Sequence, residues 1–387
     1  AQQQIAVLKD QLLRTVAEYL EYNSDFKVGN HHYAKMFSEN GYEVLWLSPV
    51  YNLMTRVINK KNYYQRKELN KAEFVKLDNN IYGYAPFSLT LYGKLPLLDT
   101  RLANKISINL TVPNINLTLK NNGFDNVDIL WLTNVKYYYL TKTVGFNKLI
   151  YRCADDISQF KESCKSMAFF EEKIIKKADH VFVTSHNLME KKKPLREDLI
   201  YLPNGVELNN FIRDEYSIPE EYVNDTRKKC IYIGAIDNWF DLNLVLYCAD
   251  KLKEISFYLI GPSRIDTSKL NEFKNIHLLG KKHYKDIPNY LKYSDVGIIP
   301  FLINSVTDSI APIKLYEYMS VGLNVVSTNF KEINYIKSAA YISENYSEFC
   351  SNIEQAIENK NINREKNINF SRENTWEKRF RETEKHI

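Results

Sequence analysis

Short apolar runs alternate with helical stretches in two separate parts of the chain. The first series begins near Thr15 and ends near Thr184, and the second extends from Cys230 to Ser327. Apolar strands separated by helices are typical of parallel sheets that are covered on both faces. The chain has 387 residues, more than one compact core usually serves. The sequence therefore predicts an α/β protein with two doubly wound, Rossmann-like domains that face a cleft.

Both series predict individual elements. In the first series the predicted strands are residues 16–22, 43–48, 127–132, 149–153 and 180–184, and the predicted helices are 32–40 and 160–178. In the second series the predicted strands are 230–234, 256–261, 276–280, 296–300 and 324–327, and the predicted helices are 242–252, 287–293 and 314–320.

The domain limits are predicted from composition. An N-terminal domain is expected over residues 1–205, in which residues 1–14 form an appendage, and a C-terminal domain over residues 206–370. The polar segment 207–229 carries Pro219 and lacks periodicity, so it is the predicted connection. A helix within residues 371–387 is expected to return to the N-terminal domain.

Composition argues against several classes of protein. Five scattered cysteines without a CxxC pair argue against a disulfide framework and a zinc site, and they favour a reducing cytoplasm. The apolar runs are shorter than the roughly 20 residues of a membrane-spanning helix, and we expect no secretory leader. The net charge of +5 does not by itself imply nucleic acid as a partner.

Basic and aromatic residues are concentrated in residues 53–76. Such a composition suits peripheral contact with an anionic membrane. A solvated, charged helix face explains it equally well, because no apolar stripe is visible. The residues concerned are Arg56, Lys60, Lys61, Arg66, Lys67, Lys71 and Lys76, with Leu53, Met54, Tyr63 and Tyr64 among them.

The stretch SIAPIKLYEYMSVG, residues 309–322, carries a cation and an anion three residues apart. Asp308 or Ser309 is the expected N-cap of its helix. Lys314 in the first turn and the helix N-terminus suit a phosphate or diphosphate. Glu317, one turn further on the same face, can accept two hydrogen bonds from a vicinal diol. The alternative is an exposed salt bridge between the two side chains.

Residues 296–328, which include VGIIPF and SIAPIKLYEYMSVGLNVVST, resemble the donor-binding region of bacterial nucleotide-sugar glycosyltransferases with the two-domain GT-B fold. Residues 25–49, DFKVGNHHYAKMFSENGYEVLWLSP, are similar to the first strand-to-helix loop of enzymes that build capsule, exopolysaccharide or teichuronic-type polymers. Shorter matches are YIGA at 232–235, IYLPNG at 200–205 and WEKR at 376–379. The resemblance thus extends over most of the chain.

The resemblance implies a role for each candidate residue on the donor side. Lys314 would contact the donor diphosphate and Glu317 the ribose, while Gly234 would border the phosphates or the donor sugar. Tyr284 is expected to stack on the nucleotide base. Ser309, Pro312 and Ile313 complete the implied donor site.

The loop Val28-Gly29-Asn30-His31-His32 lies at the start of the first helix and is expected at the same cleft. Gly29 and His32 are expected to bind the acceptor. Either histidine suits proton transfer or ligand binding, and the other is then a capping or packing residue. We favour His31 for the catalytic role.

Asp155 and Asp156 follow a predicted strand and resemble a Tyr-x-x-x-Asp-Asp element of the xanthan-type glucuronosyltransferase relatives. The resemblance implies that Asp155 is the general base of an inverting transfer, with Asp156 as second choice. One of the two is alternatively a helix cap.

Many retaining enzymes of this fold carry two glutamates separated by seven residues. The second would coincide with Glu317 and the first would fall on Ser309, which has no carboxylate. This departure favours inversion, although Asp308 leaves an offset arrangement open. No DxD-type metal motif is present, and neither a metal nor a cofactor is expected, because Lys314 and the helix terminus can stabilise the leaving diphosphate.

These observations predict a cytoplasmic glycosyltransferase, peripheral on the inner face of the membrane, that uses a nucleotide-sugar donor, expected to be UDP-linked. The expected acceptor is a hydroxyl of a lipid-linked or polymeric glycan in cell-surface polysaccharide synthesis. A nucleotide-sugar 2-epimerase of the same fold and a noncatalytic carbohydrate- or nucleotide-binding protein remain alternatives.

Overall fold

The structure, a computed structural model, describes residues 13–17, 20–24, 27–159 and 163–387. The chain forms two compact units. The first consists of Ala1–Val183, Lys192–Ile200 and Glu384–Ile387, and the second of Thr184–Lys191 and Tyr201–Thr383. The predicted appendage lies outside the described residues up to residue 12, whereas Leu13 and Arg14 already belong to the first strand.

The first unit is built around one large sheet. The first ten strands of the chain are β1 (Leu13–Ala17), β2 (Glu43–Leu47), β3 (Val75–Asp78), β4 (Ile81–Tyr84), β5 (Phe87–Ser88), β6 (Thr111–Val112), β7 (Asn126–Leu132), β8 (Gly145–Cys153), β9 (His180–Val183) and β10 (Ile200–Tyr201). Of these, β5 and β6 pair in a separate two-stranded sheet, and the other eight form the large sheet. Its helices are α1 (Gly29–Glu39), α2 (Leu53–Ile58), α3 (Lys60–Leu69), α4 (Arg101–Asn109), α5 (Ile115–Asn121) and α6 (Lys165–Lys177).

The eight strands of this sheet have the order β10-β9-β8-β7-β1-β2-β4-β3. Its central pairs are parallel, and only the edge pair β3–β4 is recorded as antiparallel. Four of the predicted strands are confirmed with shifts of at most four residues at their ends. The helix predicted at 160–178 is α6, which begins only at Lys165, and residues 160–162 of that prediction lie outside the described residues. The first predicted strand, residues 16–22, is instead β1, which begins at Leu13 and ends at Ala17.

The second unit contains a six-stranded sheet. Its strands are β11 (Lys228–Ile233), β12 (Ile255–Ile260), β13 (Ile276–Gly280), β14 (Val296–Ile299), β15 (Asn324–Thr328) and β16 (Tyr341–Ser343). The helices that follow β9 are α7 (His186–Lys192), α8 (Leu208–Phe211), α9 (Leu242–Lys251), α10 (Ile287–Lys292), α11 (Ile313–Ser320), α12 (Lys331–Tyr335), α13 (Tyr346–Glu358), α14 (Arg364–Glu373) and α15 (Trp376–Glu384).

All recorded pairs of this sheet are parallel, in the order β13-β12-β11-β14-β15-β16. The chain leaves β11 toward one edge and returns at β14 to build the other. The loops after β11 and β14 therefore diverge at a topological switch point, where open α/β sheets bind ligands. All eight elements predicted for this half are confirmed to within two residues at either end.

Two segments that were expected to link or bridge the domains lie mainly within the second unit. Residues 207–229, the predicted connection, form α8 and a short 3₁₀ turn there. The start of α15 packs on residues 204–206, since the Arg379 guanidinium donates to the Asn204 carbonyl at 3.3 Å. Only Glu384–Ile387 belong to the first unit, in which the rings of His386 and His180 lie 5.2 Å apart.

Candidate donor site and candidate base

Gly234 follows β11 at the switch point of the second unit. Its φ is +150°, a backbone conformation that residues with a side chain rarely adopt. A Cβ at this position would lie 3.1 Å from the Tyr232 hydroxyl and 3.3 Å from Cε of Lys314. The absence of a side chain thus lets Lys314 approach the end of the strand closely.

Helix α11 begins here without a side-chain cap. Its N-cap is Pro312, which has no polar side-chain group, so the expectation of Asp308 or Ser309 is wrong. The reason is that Thr307–Ser309 form their own 3₁₀ turn, and the Asp308 carboxylate accepts instead from the Lys331 amide at 3.1 Å. No side chain therefore competes with a ligand for the N–H groups at this end of the helix.

The Lys314 ammonium lies over two aromatic rings, 4.5 Å from the Phe301 centroid and 5.5 Å from the Tyr232 centroid. Among the described residues it makes no hydrogen bond or ion pair. Burial lowers its pKa to about 8, and the nearby Glu317 charge opposes this shift. A cation that is removed from water, contacts aromatic ring faces and makes no hydrogen bond is suited to an anionic ligand.

Glu317 lies on the same face of α11, one turn further along. Burial raises its pKa to about 7, whereas Lys314 and the Tyr284 hydroxyl lower it, and the Glu207 charge raises it further. The Tyr284 hydroxyl donates to Oε1 of Glu317 at 3.5 Å, so the structure brings these two predicted residues together. Sequence reasoning missed Glu207.

No ion pair within 4.0 Å joins Lys314 and Glu317 in the part of the chain that the structure describes. The alternative interpretation, an exposed salt bridge between them, is therefore wrong. Each charge instead carries a desolvation cost that the other charge offsets only in part. The two groups are arranged to hold a ligand that has an anionic part and a hydroxyl-bearing part.

Ser309 is 2% exposed, and its hydroxyl is already engaged. Oγ accepts from Nδ2 of Asn187 at 2.7 Å and from Nζ of Lys191 at 3.3 Å. Both donors lie in the second unit, although more than a hundred residues separate them from Ser309 in sequence. No pattern in the sequence signals this contact. Pro312 and Ile313 lie at the start of α11, as predicted.

The structure favours the packing interpretation for His31. Its Nδ1 accepts from the Val28 amide at 3.1 Å, and its Nε2 donates to the Glu21 carbonyl at 3.0 Å. The ring also lies 4.6 Å from the Trp46 ring, and burial lowers its pKa to about 4. With both nitrogens engaged and the ring held neutral, His31 has no ring nitrogen left for the proton transfer that the sequence suggested.

Gly29 and His32 lie near a buried arginine, Arg152, that sequence reasoning missed. Arg152 is 2% exposed, and a Cβ on Gly29 would lie 2.7 Å from its Nη2. Gly29 is thus required for the close approach of the arginine. His32 is buried, and burial holds its pKa well below the usual range, with the His31 charge adding to this shift. An acceptor-binding role for Gly29 and His32 stays a prediction.

The two aspartates after β8 have different environments. Asp156 is 5% exposed, and its Oδ1 accepts from the Ser158 amide at 3.2 Å and from the Ser158 hydroxyl at 2.6 Å. It thus caps the 3₁₀ turn Ile157–Gln159. Asp155, by contrast, is exposed. Of the pair, Asp155 is therefore the better candidate for a base.

The described residues contain neither a cluster of metal-binding side chains nor a membrane-spanning helix. No group of three or more His, Cys, Asp or Glu side chains is placed to hold a metal ion there. Nor does any helix in these ranges have the length and apolar character needed to cross a membrane.

Residues 227–359 match the model of a protein family described as "Glycosyl transferases group 1". The second unit contains a group 1 glycosyltransferase domain. This domain includes the switch point, Lys314 and Glu317, and it confirms the resemblance seen in residues 296–328.

A curated relative of the chain is the "Putative teichuronic acid biosynthesis glycosyltransferase TuaH" of Bacillus subtilis. The two are 25% identical over 221 residues, which cover 52% of this chain and 55% of the relative. The match thus spans about half the length of the curated relative.

Comparison with solved structures confirms the GT-B fold over nearly the whole chain. Sucrose-phosphate synthase from Thermosynechococcus elongatus superimposes with a TM-score of 0.71 over 97% of this chain and 98% of its own, at 11% identity. Anabaena Alr3699/HepE in complex with UDP gives a TM-score of 0.64 over 97% and 99%, at 10% identity. A structure described as "Trehalose-6-phosphate from E. coli bound with UDP-2-fluoro glucose" gives a TM-score of 0.65 over 97% of this chain and 99% of its own, at 12% identity.

Proposed function

We propose that the protein is a glycosyltransferase that moves a sugar from a nucleotide diphosphate donor, UDP-linked, to a hydroxyl of a glycan in cell-surface polysaccharide synthesis. The observation that carries the proposal is the Lys314 ammonium, which lies without a hydrogen-bonding partner among the described residues at the uncapped start of α11. The group 1 domain supports it, as does the relative named for teichuronic acid biosynthesis. The UDP complex of HepE supports the choice of nucleotide.

In this proposal the second unit holds the donor. Lys314 and the N–H groups of α11 contact the diphosphate, Glu317 accepts from the ribose hydroxyls, and Tyr284 lies beside the ribose or the base. Negative charge grows on the diphosphate as the bond between the anomeric carbon and the phosphate oxygen breaks. A preorganised cation and helix N-terminus stabilise that charge without reorganising, which lowers the barrier.

The first unit carries the base. Asp155 takes the proton of the acceptor hydroxyl while the hydroxyl oxygen attacks the anomeric carbon from the face opposite the diphosphate. One C–O bond forms and one breaks, the nucleoside diphosphate leaves, and the sugar is transferred with inversion. Support for inversion comes from Ser309 and Asp308, since the first has no carboxylate and the second is held by the Lys331 amide.

The acceptor in this proposal is a lipid-linked or polymeric glycan. Peripheral contact with the inner face of the cytoplasmic membrane belongs to the same proposal, because an acceptor with a lipid tail lies at that surface.

The test is nucleotide release with UDP-sugar and a membrane glycolipid acceptor. Asp155→Asn should lower turnover at least about 10³-fold, as expected for loss of a general base, and leave UDP affinity unchanged. Asp156→Asn is the matched control, because that side chain caps a turn and should change stability more than turnover. Near-normal turnover of Asp155→Asn would move the base elsewhere, and a product with the donor's anomeric configuration would contradict inversion.

The same assay separates the alternatives. A transferase releases UDP in proportion to added acceptor. A 2-epimerase converts the donor without acceptor, and a binding protein does neither.

A further inference from the structure

Exposed large apolar side chains are concentrated in one part of the first unit. Of 22 such residues among those that the structure describes, 13 lie within residues 53–117. The whole second unit has only eight. Contiguous exposed apolar surface of this kind marks a place of interaction rather than ordinary surface.

Helix α2 contributes the first part of this surface. None of its six residues is buried. Leu53 is 65% exposed, Val57 77% and Ile58 80%, and these positions lie four and five residues apart, on one side of a helix. Because α2 buries no side chain, its apolar residues contribute little to the stability of the first unit. Their presence on one side of the helix therefore requires another explanation.

Helix α4 contributes the second part, and its two faces are inverted. Two of its three buried residues are polar, Asn104 and Ser107, and the third is Ile108. The exposed residues Leu102 and Ile106, followed by Leu110, are four positions apart and form an apolar stripe, with exposures of 65%, 37% and 46%. A helix that packs on the core of its own domain normally buries its apolar stripe and exposes its polar residues.

A small strand ladder brings the two helices together. Tyr51, just before α2, forms a parallel bridge with Phe87, and β5 pairs antiparallel with β6, just after α4. The Leu89 amide donates to the Leu110 carbonyl at 3.0 Å. Neighbouring strands lie roughly 4.8 Å apart, so Leu53, Leu89 and Leu110 leave the ladder at the same end. The start of α2 and the end of α4 therefore lie close together, and the loop 94–98 leads into α4. The exposed apolar side chains of these three segments are named here the α2–α4 surface.

The loop 94–98 presents one leucine under strain. Leu97 is 88% exposed, the most exposed apolar side chain among the described residues, and its φ is +66°. A branched residue in the left-handed region is an outlier that costs conformational energy. Neither burial in the first unit nor an easy backbone conformation explains a leucine at this position.

Charge accompanies the apolar side chains. Residues 53–117 contain ten Lys and Arg against four Asp and Glu, whereas the whole chain contains 52 against 47. The excess of positive charge in this segment thus exceeds that of the entire protein. Lys60, at the start of α3, and Lys105, on α4, are exposed. Arg66 is excluded, because it pairs with Glu21 at 2.6 Å.

We propose that the α2–α4 surface docks on an anionic lipid bilayer, with the apolar side chains of α2, α4 and Leu97 entering the interface and the lysines contacting lipid phosphates. Interfacial binding of this type combines apolar burial with attraction to anionic headgroups. The α2–α4 surface is larger than the basic and aromatic segment 53–76 seen in the sequence. That segment shows no apolar stripe of its own, and α4 provides one. The inference rests on the proposed function only in its choice of a bilayer, where a lipid-linked acceptor lies.

The test is sedimentation of the full chain with vesicles of phosphatidylglycerol and phosphatidylcholine, against vesicles of phosphatidylcholine alone. We expect binding to the anionic vesicles, weakened at high salt because screening shortens the reach of the lysine charges. Leu102→Asp with Ile106→Asp should reduce the bound fraction at least tenfold, and Val57→Asp with Ile58→Asp should do the same. Ile362→Asp, at an equally exposed apolar position of the second unit (77%), is the matched control and should bind as the unmodified chain does.

Calorimetry with UDP runs alongside on each variant. Unchanged UDP affinity, together with an unchanged circular dichroism spectrum that shows the first unit to be folded, supports the proposal when vesicle binding is lost. Equal binding to neutral and anionic vesicles, or no binding at all, overturns it. A concentration-dependent dimer that these substitutions abolish would instead assign the surface to a second copy of the chain. If UDP fails to bind while vesicles bind, the proposed function fails and the docking surface stands.

Discussion

Two helix starts in the molecule carry polar groups that look alike in sequence and behave differently in the structure. Helix α1 presents His31 in its first turn, and α11 presents Lys314 in its first turn. Both follow strands of a parallel sheet, and both side chains are shielded from solvent. The imidazole of His31 is hydrogen-bonded through both nitrogens within its own unit. The ammonium of Lys314 has no such partner among the described residues and faces only aromatic rings.

The difference indicates that His31 stabilises the fold and that Lys314 is available to bind a ligand. A buried polar group whose hydrogen bonds are satisfied contributes to stability, whereas one that lacks them costs free energy until a ligand provides the missing charge. The Lys314 side chain of α11 thus lowers the stability of the unliganded protein, and the His31 side chain of α1 does not.

The largest effect is expected from Lys314→Ala. Removal of the ammonium should weaken UDP binding about 100-fold, near 3 kcal/mol, because a charge-assisted contact in a desolvated site is lost. Calorimetry with UDP measures it. Lys253→Ala, an exposed lysine at the opposite end of the sheet, is the control and should bind UDP normally.

The pH dependence of UDP binding provides a second measurement on Lys314. Since its pKa is about 8, affinity should fall as the pH rises through that value, and Lys314→Arg, which stays protonated, should flatten the profile. Unaltered affinity in Lys314→Ala would remove the distinction between the two helix starts.

At the other helix start we expect an effect on stability and none on UDP affinity. The pKa of His31 is about 4 in the folded protein against roughly 6.5 unfolded. Its contribution is therefore complete above pH 6.5 and is lost as the pH falls toward 4. Between pH 7 and pH 5 the free energy of unfolding should drop by about 2 kcal/mol more in the unmodified chain than in His31→Gln. Denaturant unfolding at both pH values measures this difference.

A His31→Gln variant with reduced UDP affinity, or with the unmodified acid dependence, would show that His31 acts at the ligand site after all.

The smallest effect is expected at Glu317, which sharpens the division of roles within α11. Glu317→Gln should weaken UDP binding about tenfold, because hydrogen bonds from the ribose hydroxyls to a charged acceptor are replaced by neutral ones. Binding of 2′-deoxy-UDP should change less. Competition calorimetry with the two nucleotides measures the ratio, and Glu354→Gln, an exposed residue of α13, is the control. An equal loss for both nucleotides would place Glu317 elsewhere than at the ribose.

Much of the fold could be predicted because the signal is local. Apolar runs such as those of β11 and β14 give the strands, and the helices between them follow from a 3.6-residue period. The part of the first unit between β2 and β7 was not predicted. Its strands β5 and β6 have two residues each, too short for a period of two to show, and the polarity of α4 is inverted.

Part of the candidate site could also be predicted. Lys314 and Glu317 were found because their spacing places them on one face of a helix that starts at the end of a strand. Ser309 was recognised only as a missing carboxylate. Its partners Asn187 and Lys191 lie far away in sequence, and no local pattern connects them to it.

The sequence alone determined the strands of the second unit up to β15, the strands β2, β7, β8 and β9 of the first sheet, and the presence of a cation and an anion on α11, since these follow from residue spacing within a few turns or strands. Tertiary structure decided which polar groups are satisfied. It paired both nitrogens of His31, left Lys314 over aromatic rings, assigned Asp156 to a turn and Asp155 to solvent, and turned the apolar side of α4 outward. The physical reason is that a hydrogen bond or a burial depends on residues brought together from distant parts of the chain.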